Sequence, residues 1–76
     1  MKNITTRRIY NLATDVFIDV PIDTIVYTIT VTSQWKIIVH EVRAGDLIEN
    51  VAWTCRTDAV LDTRHSIRKH REATGE

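Results

Sequence analysis

Residues 24–32 read T-I-V-Y-T-I-T-V-T and residues 35–43 read W-K-I-I-V-H-E-V-R, with only Ser33-Gln34 between them. In the first stretch Ile25, Tyr27, Ile29 and Val31 alternate with Val26, Thr28, Thr30 and Thr32. A period of two in β-branched and aromatic residues is the pattern of a half-buried strand, whose successive side chains point to opposite faces. The second stretch reads as another strand, so the pair predicts a β-hairpin. Its linker lacks the Asn-Gly of the tightest turns, and the register depends on loop length. A two-residue loop pairs Ile29 with Ile38 and Tyr27 with His40. An odd-numbered loop puts Trp35, Ile37 and Val39 on the face of Tyr27, Ile29 and Val31. A slip of one residue exchanges the faces of the whole strand. The odd loop gathers more apolar side chains and is the expected one.

Toward the N-terminus, residues 15–20 (D-V-F-I-D-V) alternate again, with Val16, Ile18 and Val20 on one side. Pro21 fixes φ near −65° and lacks a donor, so residues 20–23 suit a turn into the next strand. Three strands in sequence predict an antiparallel meander, about the minimum for an independently stable sheet. Before it, Ile9, Leu12, Ala13 and Val16 fall at helical spacing behind Thr5 or Thr6 as a cap, and a short N-terminal helix is expected. An irregular lead-in or an extra strand is the alternative, because Thr and Tyr are indifferent helix formers.

Toward the C-terminus, Asp46 and Glu49 have the spacing of a capping box. Leu47, Ile48, Val51, Ala52, Cys55 and Ala59 follow at helical spacing. Arg64, Arg68, Lys69 and Arg71 close the segment, a polarity that complements the helix dipole, and Gly75 lies just beyond. A helix from about Asp46 to Arg71 is expected. Its weak point is Trp53-Thr54-Cys55-Arg56-Thr57, and a fourth strand at 50–56 with a shorter helix from Asp58 is the alternative. The fold class is therefore α+β: a three-stranded antiparallel β-meander packed against a long C-terminal helix, with the short N-terminal helix before it. The expected core comprises Ile9, Leu12, Val16, Ile18, Ile25, Tyr27, Ile29, Val31, Ile37, Val39, Ile48, Val51, Ala52, Cys55 and Val60. Phe17, Val26, Ile38 and Val42 share the second face of the sheet, which needs cover from the N-terminal segment, a second copy or a partner.

The chain has 76 residues, ten Lys plus Arg, ten Asp plus Glu, and a formal net charge of zero. That size suits one small domain over residues 1–76. Neutrality argues against an acidic nucleic-acid mimic and against a protein basic along its whole length. One Cys cannot form an internal disulfide. Thr5, Thr6, Arg7 and Arg8 interrupt any apolar run near the start, so no secretory signal is read and a cytoplasmic location is expected.

The sequence carries no motif of catalysis. There is no Gly-rich phosphate loop, no C-x-x-C and no G-x-S-x-G. Asp15, Asp19 and Asp23 are too far apart on an extended strand to share a metal or a proton. His65 and His70 are five apart and do not share a helix face, and Cys55 falls on the apolar stripe. No enzyme activity, metal or cofactor is expected.

Charge is nonetheless uneven. Residues 1–43 carry five positive and four negative charges, residues 44–63 one and four, and residues 64–76 four and two. Arg64, Arg68 and Arg71 lie at i, i+4 and i+7, one basic stripe able to follow phosphates. Trp35 beside the hairpin turn and Trp53 off the helical stripe are interface anchors by residue type. These features favour a non-enzymatic module that binds a larger protein partner, as small inhibitors, antitoxins and phage or mobile-element anti-defence proteins do. Its contacts would be Trp35, Trp53, Arg64, Arg68, Lys69 and Arg71. The alternative is a nucleic-acid-binding protein that uses residues 64–71. Either suits a homodimer through an exposed strand edge, and no membrane partner is expected.

Overall fold

The computed structural model describes residues 5–75. Its elements run β1 (Thr6–Asn11), β2 (Val16–Pro21), β3 (Ile25–Val31), β4 (Ile37–Arg43), a 3-10 turn (Ala44–Asp46), β5 (Val51–Ala52) and α1 (Arg56–Thr74). The class is α+β, but the meander is replaced by two sheets, ordered β2-β1-β5 and β3-β4. One antiparallel bridge joins them: the N–H of Tyr27 donates to the carbonyl of Trp53 at 2.8 Å, and that of Trp53 to Tyr27 at 2.9 Å.

The expected N-terminal helix is a strand. β1 pairs antiparallel with β2 (Arg7 opposite Val20, Ile9 opposite Ile18) and parallel with β5 (Tyr10 opposite Val51). Ile9 and Val20 point inward, while Arg8, Phe17 and Asp19 face out. A period of two thus competes with the helical spacing of Ile9, Leu12 and Ala13, and strand pairing on both sides of β1 decides it. Asn11 closes the β1–β2 turn. Its carboxamide oxygen accepts from the N–H of Ala13 at 3.1 Å and its carbonyl from Asp15 at 2.8 Å. Asp15 takes the left-handed conformation (φ 58°), which Asp tolerates better than most residues. With β2 paired to β1, no ladder forms between β2 and β3.

The expected long helix from Asp46 to Arg71 is also corrected. Residues 50–53 are drawn into the sheets instead: the Asn50 carbonyl accepts from Tyr10 and the Ala52 carbonyl from Leu12, at 2.8 and 3.0 Å. The alternative of a strand at 50–56 is nearer the structure, and α1 begins only at Arg56. Asp46 ends the 3-10 turn rather than capping a helix, and Ile48 projects into solvent at 98% exposure. Cys55, expected in the core, is exposed where the chain turns from strand to helix. At the other end Gly75 (φ 77°) caps α1 in the left-handed conformation that glycine adopts freely.

The core lies where the two sheets meet. Ile9, Val20 and Ala52 of one sheet close on Val26 of the other, and Ala44 and Leu47 complete the cluster. Val26, expected on the second face of the sheet, is fully buried here. Val16, Ile25 and Val31, expected inside, remain 40–52% exposed. Gly45 donates to the Ile22 carbonyl at 2.9 Å, and a Cβ there would come within 3.0 Å of the Ile22 Cβ. Glycine thus lets the two segments approach more closely than most side chains allow.

Arg7 fastens the 44–50 segment over this core. One of its Nη atoms donates to the carbonyls of Ala44 (2.8 Å) and Leu47 (2.7 Å), and its Nε donates to the Asn50 carboxamide oxygen (2.7 Å). A planar guanidinium with several donors can serve three acceptors at once, as a lysine ammonium cannot in this fork.

The radius of gyration is 14.4 Å, against about 11 Å for a compact chain of this length. The long axis is 57 Å. The β3–β4 hairpin and α1 form an arm that leaves the core. Trp53 donates its indole N–H to Asp62 at 2.9 Å, fixing the start of α1 beside Tyr27. Farther along, His70 meets Trp35 at the hairpin tip. The helix therefore runs along the hairpin in the direction of β3.

Candidate functional site

The site begins with hairpin register. Val31 pairs with Ile37, leaving the odd, five-residue loop 32–36. Ile29 and Val31 therefore share a face with Ile37 and Val39, as the apolar pattern favours. Thr32 holds the loop together. Its carbonyl accepts from Trp35 (3.0 Å), and its N–H donates to the Lys36 carbonyl (2.9 Å). Its hydroxyl accepts from the N–H groups of Gln34 (3.3 Å) and Lys36 (3.1 Å). These bonds hold Trp35 in the left-handed region (φ 62°), a conformation that costs a bulky residue on the order of 1 kcal/mol. Its indole then lies against His70, with ring centroids 5.4 Å apart and planes tilted by 47°.

Ala59 and Thr63 are the buried residues of α1, with Ile67 half-buried one turn farther on. At 100° per residue, Arg64, Arg68 and Arg71 then fall along one flank. All three are exposed. That flank and the hairpin tip enclose an open groove of about 810 Å³. Trp35, Lys36 and Ile37 form one wall, and Arg64, Ile67, Arg68, Arg71 and Glu72 form the other. Four cations thus face a cleft that holds one carboxylate, an indole and two isoleucines. The separation of the outer arginines, seven residues apart, is about 10 Å along the helix.

The structure brings four of the six expected contact residues together: Trp35, Arg64, Arg68 and Arg71. Trp53 and Lys69 do not line this groove. Trp53 is half-buried in the joint between strand and helix, its N–H engaged by Asp62. Lys69 lies roughly 100° beyond Arg68, away from the basic flank. Lys36, Ile37 and Ile67 were not among the candidates. The odd-loop register carries the signal for Ile37, which follows Trp35 by two residues, and Ile67 lies one turn from Arg64 and Arg71.

A second surface lies on the β1–β2 hairpin, whose turn borders α1 near His65 and Ser66. Phe17 is 55% exposed on β2, the outer strand of its sheet. Tyr10 meets its ring edge-on at 5.1 Å, and the Arg8 guanidinium sits 4.9 Å above it. The Tyr10 hydroxyl donates to Asp15 at 3.3 Å. Burial, and then the neighbouring Asp15 carboxylate, raise the Tyr10 pKa above the ordinary 10.0.

Among the described residues, no group of three or more His, Cys, Asp or Glu side chains is gathered to hold a metal ion. No helix among them is long and apolar enough to cross a membrane. No family model matches the chain, and neither a curated protein nor a solved structure matches it.

Proposed function

We propose that the protein is a non-enzymatic nucleic-acid-binding module whose working face is the groove between the hairpin tip and α1. One observation carries this: Lys36, Arg64, Arg68 and Arg71 converge on a single cleft beside Trp35, although the chain as a whole is neutral. Guanidinium groups grip phosphate oxygens through paired donors, and each phosphate neutralised releases condensed counterions. The same arrangement serves no evident catalysis, since no nucleophile with an adjacent base accompanies it.

Fluorescence anisotropy of a labelled oligonucleotide at about 50 mM salt tests the reading. The triple variant Arg64→Gln, Arg68→Gln and Arg71→Gln should lose binding while keeping its fold, because surface substitutions usually change stability by less than about 0.5 kcal/mol. Lys69→Gln should bind as the parent does. Equal loss in both variants, or no binding by the parent, contradicts the groove as the site.

A second reading, a regulator that docks on a larger protein or a second copy, is favoured by a different feature. Phe17 and Val16 stand exposed on the unpaired edge strand β2, the kind of edge to which a partner strand adds. Pull-down with Phe17→Ser against the parent, with nuclease present, separates this reading from the first.

A further inference from the structure

We infer that the groove takes single-stranded rather than duplex nucleic acid, with one base stacked on Trp35. The inference rests on the nucleic-acid reading and narrows it. Its first support is the strained position of Trp35. A bulky residue is held in the left-handed region by a loop that Thr32 knots through backbone and hydroxyl bonds. Strain retained at a residue on the rim of a basic cleft points to a role for that side chain. His70 braces the indole from the helix side, so its orientation is fixed before a ligand arrives.

The second support is the extent of the basic row. Arg64 to Arg71 spans about 10 Å, the length of roughly three stacked nucleotides. A duplex presents two phosphate strands and calls for a wider basic footprint. Here the net charge of the whole chain is zero. Base faces in a duplex are already stacked on their neighbours, so engaging the indole would require unstacking. In a single strand those faces are free, and an aromatic platform beside a cationic track suits binding with little sequence preference.

Glu72 adds a third support. Its carboxylate lines the same groove. It repels a phosphate but accepts hydrogen bonds from an exocyclic amino group. The backbone is thus directed to the arginines, and the Watson–Crick edge of a base, free only in a single strand, toward Glu72.

The test uses the full chain, a single-stranded oligonucleotide of about twelve nucleotides and a duplex of the same length and sequence. Affinity is read by anisotropy and stacking by tryptophan emission, the Trp35 contribution being the ligand-induced change that Trp35→Phe abolishes. The single strand should bind more tightly than the duplex and quench Trp35. Trp35→Ala should weaken the single strand by about 5- to 150-fold and leave the duplex within about twofold. Trp35→Phe, which keeps an aromatic face, should recover much of the loss, and circular dichroism confirms that each variant is folded. Duplex binding as tight as single-strand binding overturns the inference and leaves the nucleic-acid reading standing, as does equal weakening of both by Trp35→Ala. Failure of both probes to bind the parent overturns both.

Discussion

Replacing Arg7 by Ala probes the joint on which the core depends. Arg7 is half-buried, and it donates to the carbonyls of Ala44 and Leu47 and to the carboxamide of Asn50, all within 2.8 Å. A hydrogen bond from a charged donor contributes about 1.5–3 kcal/mol when shielded and less where water competes. Taking about 1 kcal/mol for each part-buried carbonyl contact and less for the exposed Asn50 contact, Arg7→Ala should cost about 2–3 kcal/mol. In a domain of this size, that lowers Tm by roughly 10–20 °C. Arg7→Lys keeps the charge but not the fork, and should recover only part of the loss. Arg8→Ala is the control. Arg8 is exposed and contacts the Phe17 ring at 4.9 Å, an interaction worth about 0.5–1 kcal/mol at such a site. Thermal melts followed by circular dichroism compare the three variants. If Arg7→Ala melts no lower than Arg8→Ala, the guanidinium does not hold the 44–50 segment, and burial of Leu47 beneath it must be explained otherwise.

Two further predictions concern the body of the molecule. Ile9, fully buried, and Ile48, 98% exposed, are opposite extremes of one residue type. Ile9→Val should cost about 0.5–1.5 kcal/mol and Ile48→Val less than about 0.5 kcal/mol, read as midpoints of urea unfolding. The raised pKa of Tyr10 means that its neutral form is favoured in the fold. That contribution is fully present below pH 10 and is lost as pH rises through the higher folded-state value. Tyr10→Phe should therefore narrow the alkaline fall in Tm above pH 10, and an unchanged alkaline fall would show that other groups cause it.

The hairpin was legible because 24–32 alternates with period two and 35–43 follows after a short linker, and the odd loop gathers more apolar side chains on one face than a two-residue loop does. The α+β class was legible for similarly local reasons, and Gly75 was placed just past the end of the helix that it caps. What misled was hydrophobic spacing that two structures satisfy equally. Ile9, Leu12 and Ala13 fit a helix, yet β1 gains partners on both edges, and tertiary pairing overrides a weak propensity. Leu47, Ile48, Val51 and Ala52 also fit a helix. Backbone bonds from Tyr10 and Leu12 and two with Tyr27 draw residues 50–53 into the sheets, leaving Leu47 buried and Ile48 outside. The parallel pairing of β1 with β5 spans some forty residues of chain, a contact that no local pattern announces. In the groove, the arginine stripe was readable from the i, i+4, i+7 spacing. Its meeting with Trp35 was not, because it depends on α1 starting at Arg56 and on the direction in which it runs along the hairpin.

The salt dependence of single-strand binding measures how many cations the groove engages. Four groups line it, Lys36, Arg64, Arg68 and Arg71. Engagement of all four by a single strand gives a slope of about −2.8 in log affinity against log salt, a loss of about 50-fold between roughly 50 and 200 mM. Arg68→Gln should reduce that slope by about 0.7, whereas Lys69→Gln should leave it unchanged. A slope near zero, or one that responds equally to both substitutions, would contradict phosphate binding in this groove.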